Sequence, residues 1–153
     1  MKFLVRALSA SRAVLLGSGL LLAGTTTQAA TLTIVVSNVP SADGSINFAI
    51  YDSKDAWLED DTMVARQTLL VADYYEDGTV TTVFELEPGD YAVSVHHDEN
   101  GNGKMDTRIF PPIPKEPVGA SNDAPPKFGP PKYKDAVFTL GEDGVKMPIK
   151  LLD

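Results

Sequence analysis

Residues Asp98-Glu99-Asn100-Gly101-Asn102-Gly103-Lys104-Met105-Asp106 put oxygen-bearing side chains at relative positions one, three, five and nine, with glycine at six. This is the ligand order of a calcium-binding loop, where short carboxylates and amides reach one centre only if the backbone turns sharply at a residue without a Cβ. Asp98, Asn100, Asn102 and Asp106 are the expected side-chain ligands, and Lys104 stands at position seven, where a main-chain carbonyl serves. Position twelve is Ile109 in place of the bidentate glutamate, so an ion here needs another oxygen, from Asp135, Glu116 or water. With two neutral amides among the ligands, the expected calcium affinity is weak, about 10⁻⁴ to 10⁻³ M. The competing reading is an Asn/Gly turn between strands, whose Asp and Asn side chains bond their own backbone without any metal.

His96 and His97, the only histidines, immediately precede this loop. Adjacent strand residues point to opposite faces, so both cannot aim at one ion. Alternation gives His97 the face of Tyr91, Val93 and Val95. One reading has His97 hydrogen-bonding to orient the loop while His96 is solvated; the other makes His97 a general base beside Asp98 or Glu116. Met63, Met105 and Met147 are too dispersed for a zinc or copper site, which wants more nitrogen or sulfur ligands.

The elements that must carry the loop are strands. Leu32-Thr33-Ile34, Ser45 to Ile50, Val80 to Leu86 and Tyr91 to Val95 have period-two apolar patterns rich in β-branched and aromatic residues. Gln67 to Val71, Ala136 to Leu140 and Val145 to Leu151 are further candidates. Asp43-Gly44, Asp77-Gly78, Pro88-Gly89 and Asp143-Gly144 supply turns between them. Seven short strands so spaced predict an all-β, antiparallel sandwich of Ig-like or prealbumin-like kind. Only Lys54 to Ala65, after Ser53 as N-cap, is suited to form a helical turn. Tyr91, just past Pro88-Gly89, is placed either to bond its hydroxyl back across the corner or to pack as an edge tyrosine.

Residues 1–29 are an address, to be set aside before the fold. Lys2, Arg6 and Arg12 precede an apolar core from Ala13 to Ala23, and Thr27-Gln28-Ala29 offers small residues to a signal peptidase. That core falls well short of the ~20 residues a spanning helix needs. The expectation is cleavage after Ala29 or Ala30, leaving one domain over residues 30–153, periplasmic or secreted, monomeric and with no membrane span. The chain has no cysteine, so neither a disulfide framework nor a lipidated thiol is available. Removing the leader takes three bases and no acids, leaving 10 basic against 21 acidic residues, a net of −11. Nucleic acid is therefore not an expected partner.

The run from Leu86 to Ala136 contains Pro88-Gly89-Asp90-Tyr91-Ala92, His97-Asp98-Glu99-Asn100-Gly101-Asn102-Gly103, Ile113-Pro114-Lys115-Glu116, Gly119, Ser121-Asn122, Phe128-Gly129-Pro130-Pro131 and Asp135-Ala136. In these motifs the chain resembles the DUF2141 family, over essentially the whole mature length. The resemblance implies an exported, single-domain bacterial β protein with no established activity. The sequence departs from the family at Pro117 and Ala120, where glycine and an aromatic residue are usual, and at Pro111-Pro112. These departures leave the cation loop alone.

Pro111 to Pro131 holds eight of the eleven prolines. Proline removes backbone donors, so the stretch from Thr107 to Pro131 is expected to be a long, ordered loop, and loops of such length are usually functional or disordered. Two classes of function follow. One is a non-catalytic module, stabilised by calcium, that presents the Pro-rich loop to a ligand or envelope protein. The other is a small metal- or His-dependent periplasmic hydrolase using His97 with neighbouring carboxylates, although the chain has neither a Gly-x-Ser-x-Gly elbow nor a His-Glu-x-x-His motif.

Overall fold

The computed structural model describes residues 28–109 and 113–152, so the expected signal peptide lies almost entirely outside the described residues. Among the described residues nine strands form two sheets. The first has the order β4 (Tyr75–Glu76), β5 (Thr79–Leu86), β1 (Ala30–Ser37), β9 (Val145–Lys150). The second runs β3 (Ala65–Leu70), β2 (Ser45–Tyr51), β6 (Gly89–Asp98), β7 (Val118–Ala120), with β8 (Phe138–Leu140) paired to the start of β6.

Alternation explains how the sheets meet. Along β1, Ala30, Leu32, Ile34 and Val36 are buried while Thr31 and Ser37 are exposed. These side chains join Ile46, Phe48 and Ile50 of β2, Val93 and Val95 of β6, and Met147 and Ile149 of β9 in one apolar cluster between the sheets. Phe48 and Phe84 meet edge to face across it, with ring centroids 6.3 Å apart. Each fully buried Leu, Ile or Phe contributes about 1.5–3 kcal/mol of transfer free energy.

The antiparallel expectation needs correction at one pair, because β1 and β9 run parallel, Leu32 opposite Val145 through Ser37 opposite Lys150. The parallel ladder tolerates Pro148, since β9 is an edge strand. The helical turn expected within Lys54 to Ala65 does not become a helix: Trp57 N–H donates to the Lys54 carbonyl and Glu59 N–H to the Ala56 carbonyl. Turns replace it, with Leu58 and Asp61 both at φ 61°, a left-handed setting no α-helix accommodates. One-turn helices occur instead at α1 (Val71–Tyr74) and α2 (Tyr133–Ala136). The Tyr91 hydroxyl donates to the Glu87 carbonyl at 2.9 Å, the corner bond its position suggested.

The Pro-rich stretch is only partly a loop. Lys115 N–H donates to the Asp106 carbonyl and Arg108 N–H to the Ile113 carbonyl, both at 2.8 Å, so the chain doubles back as a hairpin. It then forms β7 and a short 3-10 turn at Ser121–Asp123. Beyond this, a second apolar cluster of Tyr51, Trp57, Ala92, Ala120, Ala124 and Ala136 holds it to the second sheet. Alanines there leave room for the rings of Tyr51, Trp57 and Tyr133, which stack edge to face. Trp57 Nε1–H donates to the Pro131 carbonyl at 2.7 Å, and Ser121 Oγ accepts from Val93 N–H and donates to the Ala136 carbonyl.

Candidate cation loop

β6 delivers the first loop residue. Its last position, Asp98, pairs with Ser45 of β2, and Asp98 is 1% exposed. The neighbouring backbone is clamped on both sides: His97 N–H donates to the Pro117 carbonyl, and Gly44 presses on the Asp98 main chain. Gly44 has φ +69°, and a Cβ there would overlap the Asp98 carbonyl oxygen. Glycine is required at 44 by both space and φ.

From that anchor the loop wraps around the Asp98 carboxylate. Oδ1 accepts from Asn102 N–H at 3.1 Å and Oδ2 from Gly103 N–H at 2.7 Å. Asn100 Oδ1 accepts from Asn102 N–H at 3.0 Å, and Asn102 Oδ1 from Lys104 N–H at 2.7 Å. Gly103, at φ +75°, supplies the turn. The amide nitrogens point inward to acid oxygens. Asn100 Nδ2 donates to Asp106 Oδ2 at 2.8 Å and to Glu116 Oε1 at 3.1 Å, and Asn102 Nδ2 to Asp106 Oδ2 at 3.2 Å.

The structure therefore gathers Asp98, Asn100, Asn102 and Asp106 in one loop, with the Lys104 main chain at its rim, and adds Glu116 from the far arm of the hairpin. Of the three oxygen sources considered for position twelve, the fold brings in Glu116. Asp135 is remote: it sits on α2, whose Ala136 is tied through Ser121 to Val93, five residues of β6 from Asp98, a span of roughly 16 Å. No three His, Cys, Asp or Glu side chains among the described residues form a ready metal cage. An ion here would draw on amide and main-chain oxygens as well, which suits a hard cation. Half a turn about Cβ–Cγ of Asn100 and Asn102 exchanges nitrogen for oxygen toward the two carboxylates.

Glu116 ties the loop to His96. It is 5% exposed; His96 Nε2 donates to its Oε2 at 2.8 Å, and Asp106 N–H reaches the same oxygen at 3.1 Å. The expectation of a solvated His96 is thus corrected. Pairing between β6 and β7 sets Val118 opposite His96 and brings Glu116 alongside. His97 is fully buried on the core face, opposite Ile46, and its Nε2–H donates to the Asp43 carbonyl at 2.8 Å. Its Nδ1 finds no partner among the described residues. His97 and the carboxylates of Asp98 and Glu116 do not converge. Two open depressions of about 280 and 270 Å³, one along Asp61 to Arg66 and one at Thr31, Asp143 and Lys146, contain neither histidine.

The sequence matches the family described as "Uncharacterized protein conserved in bacteria (DUF2141)" over residues 34–148, about three quarters of the chain. The chain belongs to that family. The matched span covers all of the cation loop, Glu116 and both histidines. No curated protein and no solved structure matches the chain. No helix among the described residues is long and apolar enough to cross a membrane.

Proposed function

We propose that this protein is an exported, non-catalytic β-sandwich module of Ig-like or prealbumin-like kind, steadied by a weakly bound calcium ion, that presents its Pro-rich segment to a ligand or envelope partner. The observation that carries the reading is the convergence of Asp98, Asn100, Asn102 and Asp106 with Glu116, five oxygen-bearing side chains from two separated stretches of chain. In this reading the Lys104 carbonyl at position seven and water complete the oxygen shell. Export rests on the leader sequence, with cleavage after Ala29 or Ala30 and a periplasmic or secreted product. The hydrolase reading has less support, since the ring of His97 is buried in the core and bonded to Asp43.

The test is calorimetry of the chain from Ala30 onward, in chelator and in roughly 10 mM calcium. At a dissociation constant of 10⁻⁴ to 10⁻³ M, mass action stabilises the folded state by about 1.4–2.7 kcal/mol. Asp98→Asn, which preserves size and one acceptor, should lose this increment. Coincident wild-type scans would remove the ion from the reading.

A further inference from the structure

The second sheet ends on β3, which pairs with β2 alone. Val71 N–H donates to the Gly44 carbonyl at 3.2 Å, one step beyond the pairing of Leu70 with Ser45. Hydrogen-bonded pairs alternate along an antiparallel ladder. Leu69, Gln67 and Ala65 are therefore the residues tied to β2, and Arg66, Thr68 and Leu70 turn their N–H and C=O groups away from it. None of these outward groups has a partner among the described residues, and all three residues are exposed. The edge of the first sheet at β9 is blunted, by Pro148 and by Asp123 Oδ1, which accepts from Lys150 N–H at 2.8 Å. β3 carries neither a proline nor a lysine.

Two further features lie along this edge. The open depression of about 280 Å³ lined by Asp61, Met63, Val64, Ala65 and Arg66 stands at the entry to β3, and Val64 and Leu70, at its two ends, are 46% and 63% exposed. Between residues 59 and 77 there are six acids, Glu59, Asp60, Asp61, Asp73, Glu76 and Asp77, against the single base Arg66. No ion pair engages any of them among the described residues. We propose that β3 is a docking edge for an extended, cationic strand of a partner protein. That strand adds to the second sheet through the main-chain groups of Arg66, Thr68 and Leu70. It seats an apolar side chain in the depression beside Val64 and carries Lys or Arg toward the acids at either end. Main-chain bonds give such a union its affinity, and alternate side chains its specificity. A second copy of this chain is the wrong occupant on charge, since β3 against β3 would bring two acidic clusters together in a domain of 10 bases and 21 acids. The inference uses neither the ion nor the Pro-rich segment, and stands if both fail.

The test adds a blocked synthetic peptide, Lys-Val-Thr-Val-Thr-Val-Lys, to the chain from Ala30 onward, which carries every described strand, and follows amide hydrogen exchange residue by residue. In the free protein the amides of Arg66, Thr68 and Leu70 should exchange fast and those of Gln67 and Leu69 slowly; saturating peptide should slow the first three at least tenfold. Thr68→Pro deletes one outward N–H without touching the bonds to β2. It should weaken peptide binding roughly tenfold, on the order of one unmade main-chain hydrogen bond, with little change in melting temperature. A peptide ending in Glu at both positions should also bind roughly tenfold more weakly. No slowing of the three amides, wild-type affinity in Thr68→Pro, or equal binding of the Glu-ended peptide would each overturn the proposal. Polylysine bound as tightly as the peptide would reduce the contact to charge alone and overturn it too. Slow exchange of the three amides before any peptide is added would mean an edge already covered, by a second copy if sedimentation gives a dimer and by the chain itself if it gives a monomer, and either result would sink the docking edge.

Discussion

Glu116 joins the loop, the hairpin and His96, and its removal has a calculable effect. The carboxylate is 5% exposed and accepts three hydrogen bonds, from His96 Nε2, Asn100 Nδ2 and Asp106 N–H. Each bond to a charged acceptor is worth about 1.5–3 kcal/mol, and the three are not additive because they share one group. Breaking a buried pair by deleting one partner costs about 3–5 kcal/mol. Glu116→Ala should therefore destabilise the protein by about 3–4 kcal/mol in chelator. At about 4 °C per kcal/mol for a domain of this size, that is a fall of about 12–16 °C in melting temperature. Glu116→Gln retains volume and one acceptor oxygen, and should cost about 1–2 kcal/mol. Both variants should also lose most of the calcium increment, whereas Asp135→Asn, on α2 and remote from Asp98, should leave both quantities unchanged. Thermal and urea unfolding with and without calcium measure all of them. A chelator-state loss below about 1 kcal/mol for Glu116→Ala would refute its role as a buried acceptor, and a full calcium shift in Glu116→Gln would refute its role as the closing oxygen.

Limited proteolysis should separate two anchors in the Pro-rich segment: cutting at Lys115 should be faster in chelator than in calcium, while cutting at Lys127 and Lys132 should respond instead to Trp57→Phe, which deletes the bond to the Pro131 carbonyl. Burial holds the Tyr51 hydroxyl above its ordinary pKa of 10.0, against a lowering hydrogen bond with Ser94 and with a smaller push from Asp60. The folded state thus keeps this proton more tightly than the unfolded chain, so its contribution is complete below about pH 10 and is lost as pH rises through the folded value; Tyr51→Phe should flatten the alkaline limb of a stability-against-pH curve. Tyr91→Phe removes the corner bond to Glu87 and should cost about 1 kcal/mol in urea unfolding, with no change in the calcium increment.

Local chemistry wrote much of this protein into its sequence. The β strands are legible because each buries one face, which forces apolar residues onto every second position, as in Leu32, Ile34 and Val36 or Ile46, Phe48 and Ile50. The gathering of Asp98, Asn100, Asn102 and Asp106 in one loop is legible for a similar reason: they lie within nine residues, and the glycine that bends the chain lies among them. The short strands β4 and β7 carry no comparable signal, since two or three residues cannot display a period. The helical turn expected within Lys54 to Ala65 goes no further than hydrogen-bonded turns, because Trp57 packs on Tyr51 and Tyr133 and that packing outweighs a weak local propensity.

What tertiary structure alone decided is whatever depends on residues distant in sequence. Glu116 was one of three candidate oxygen sources, and the hairpin brings its carboxylate to Asn100 and His96. The different fates of His96 and His97 follow from which sheet face meets the core, and from the Asp43 carbonyl 54 positions away that accepts a hydrogen bond from the His97 ring. The parallel pairing of β1 with β9 likewise joins the two ends of the domain. Periodicity states that a strand has an inside and an outside. It does not state which other strand, or which carboxylate, will stand opposite, because that is settled by burial and hydrogen bonding summed over the whole chain.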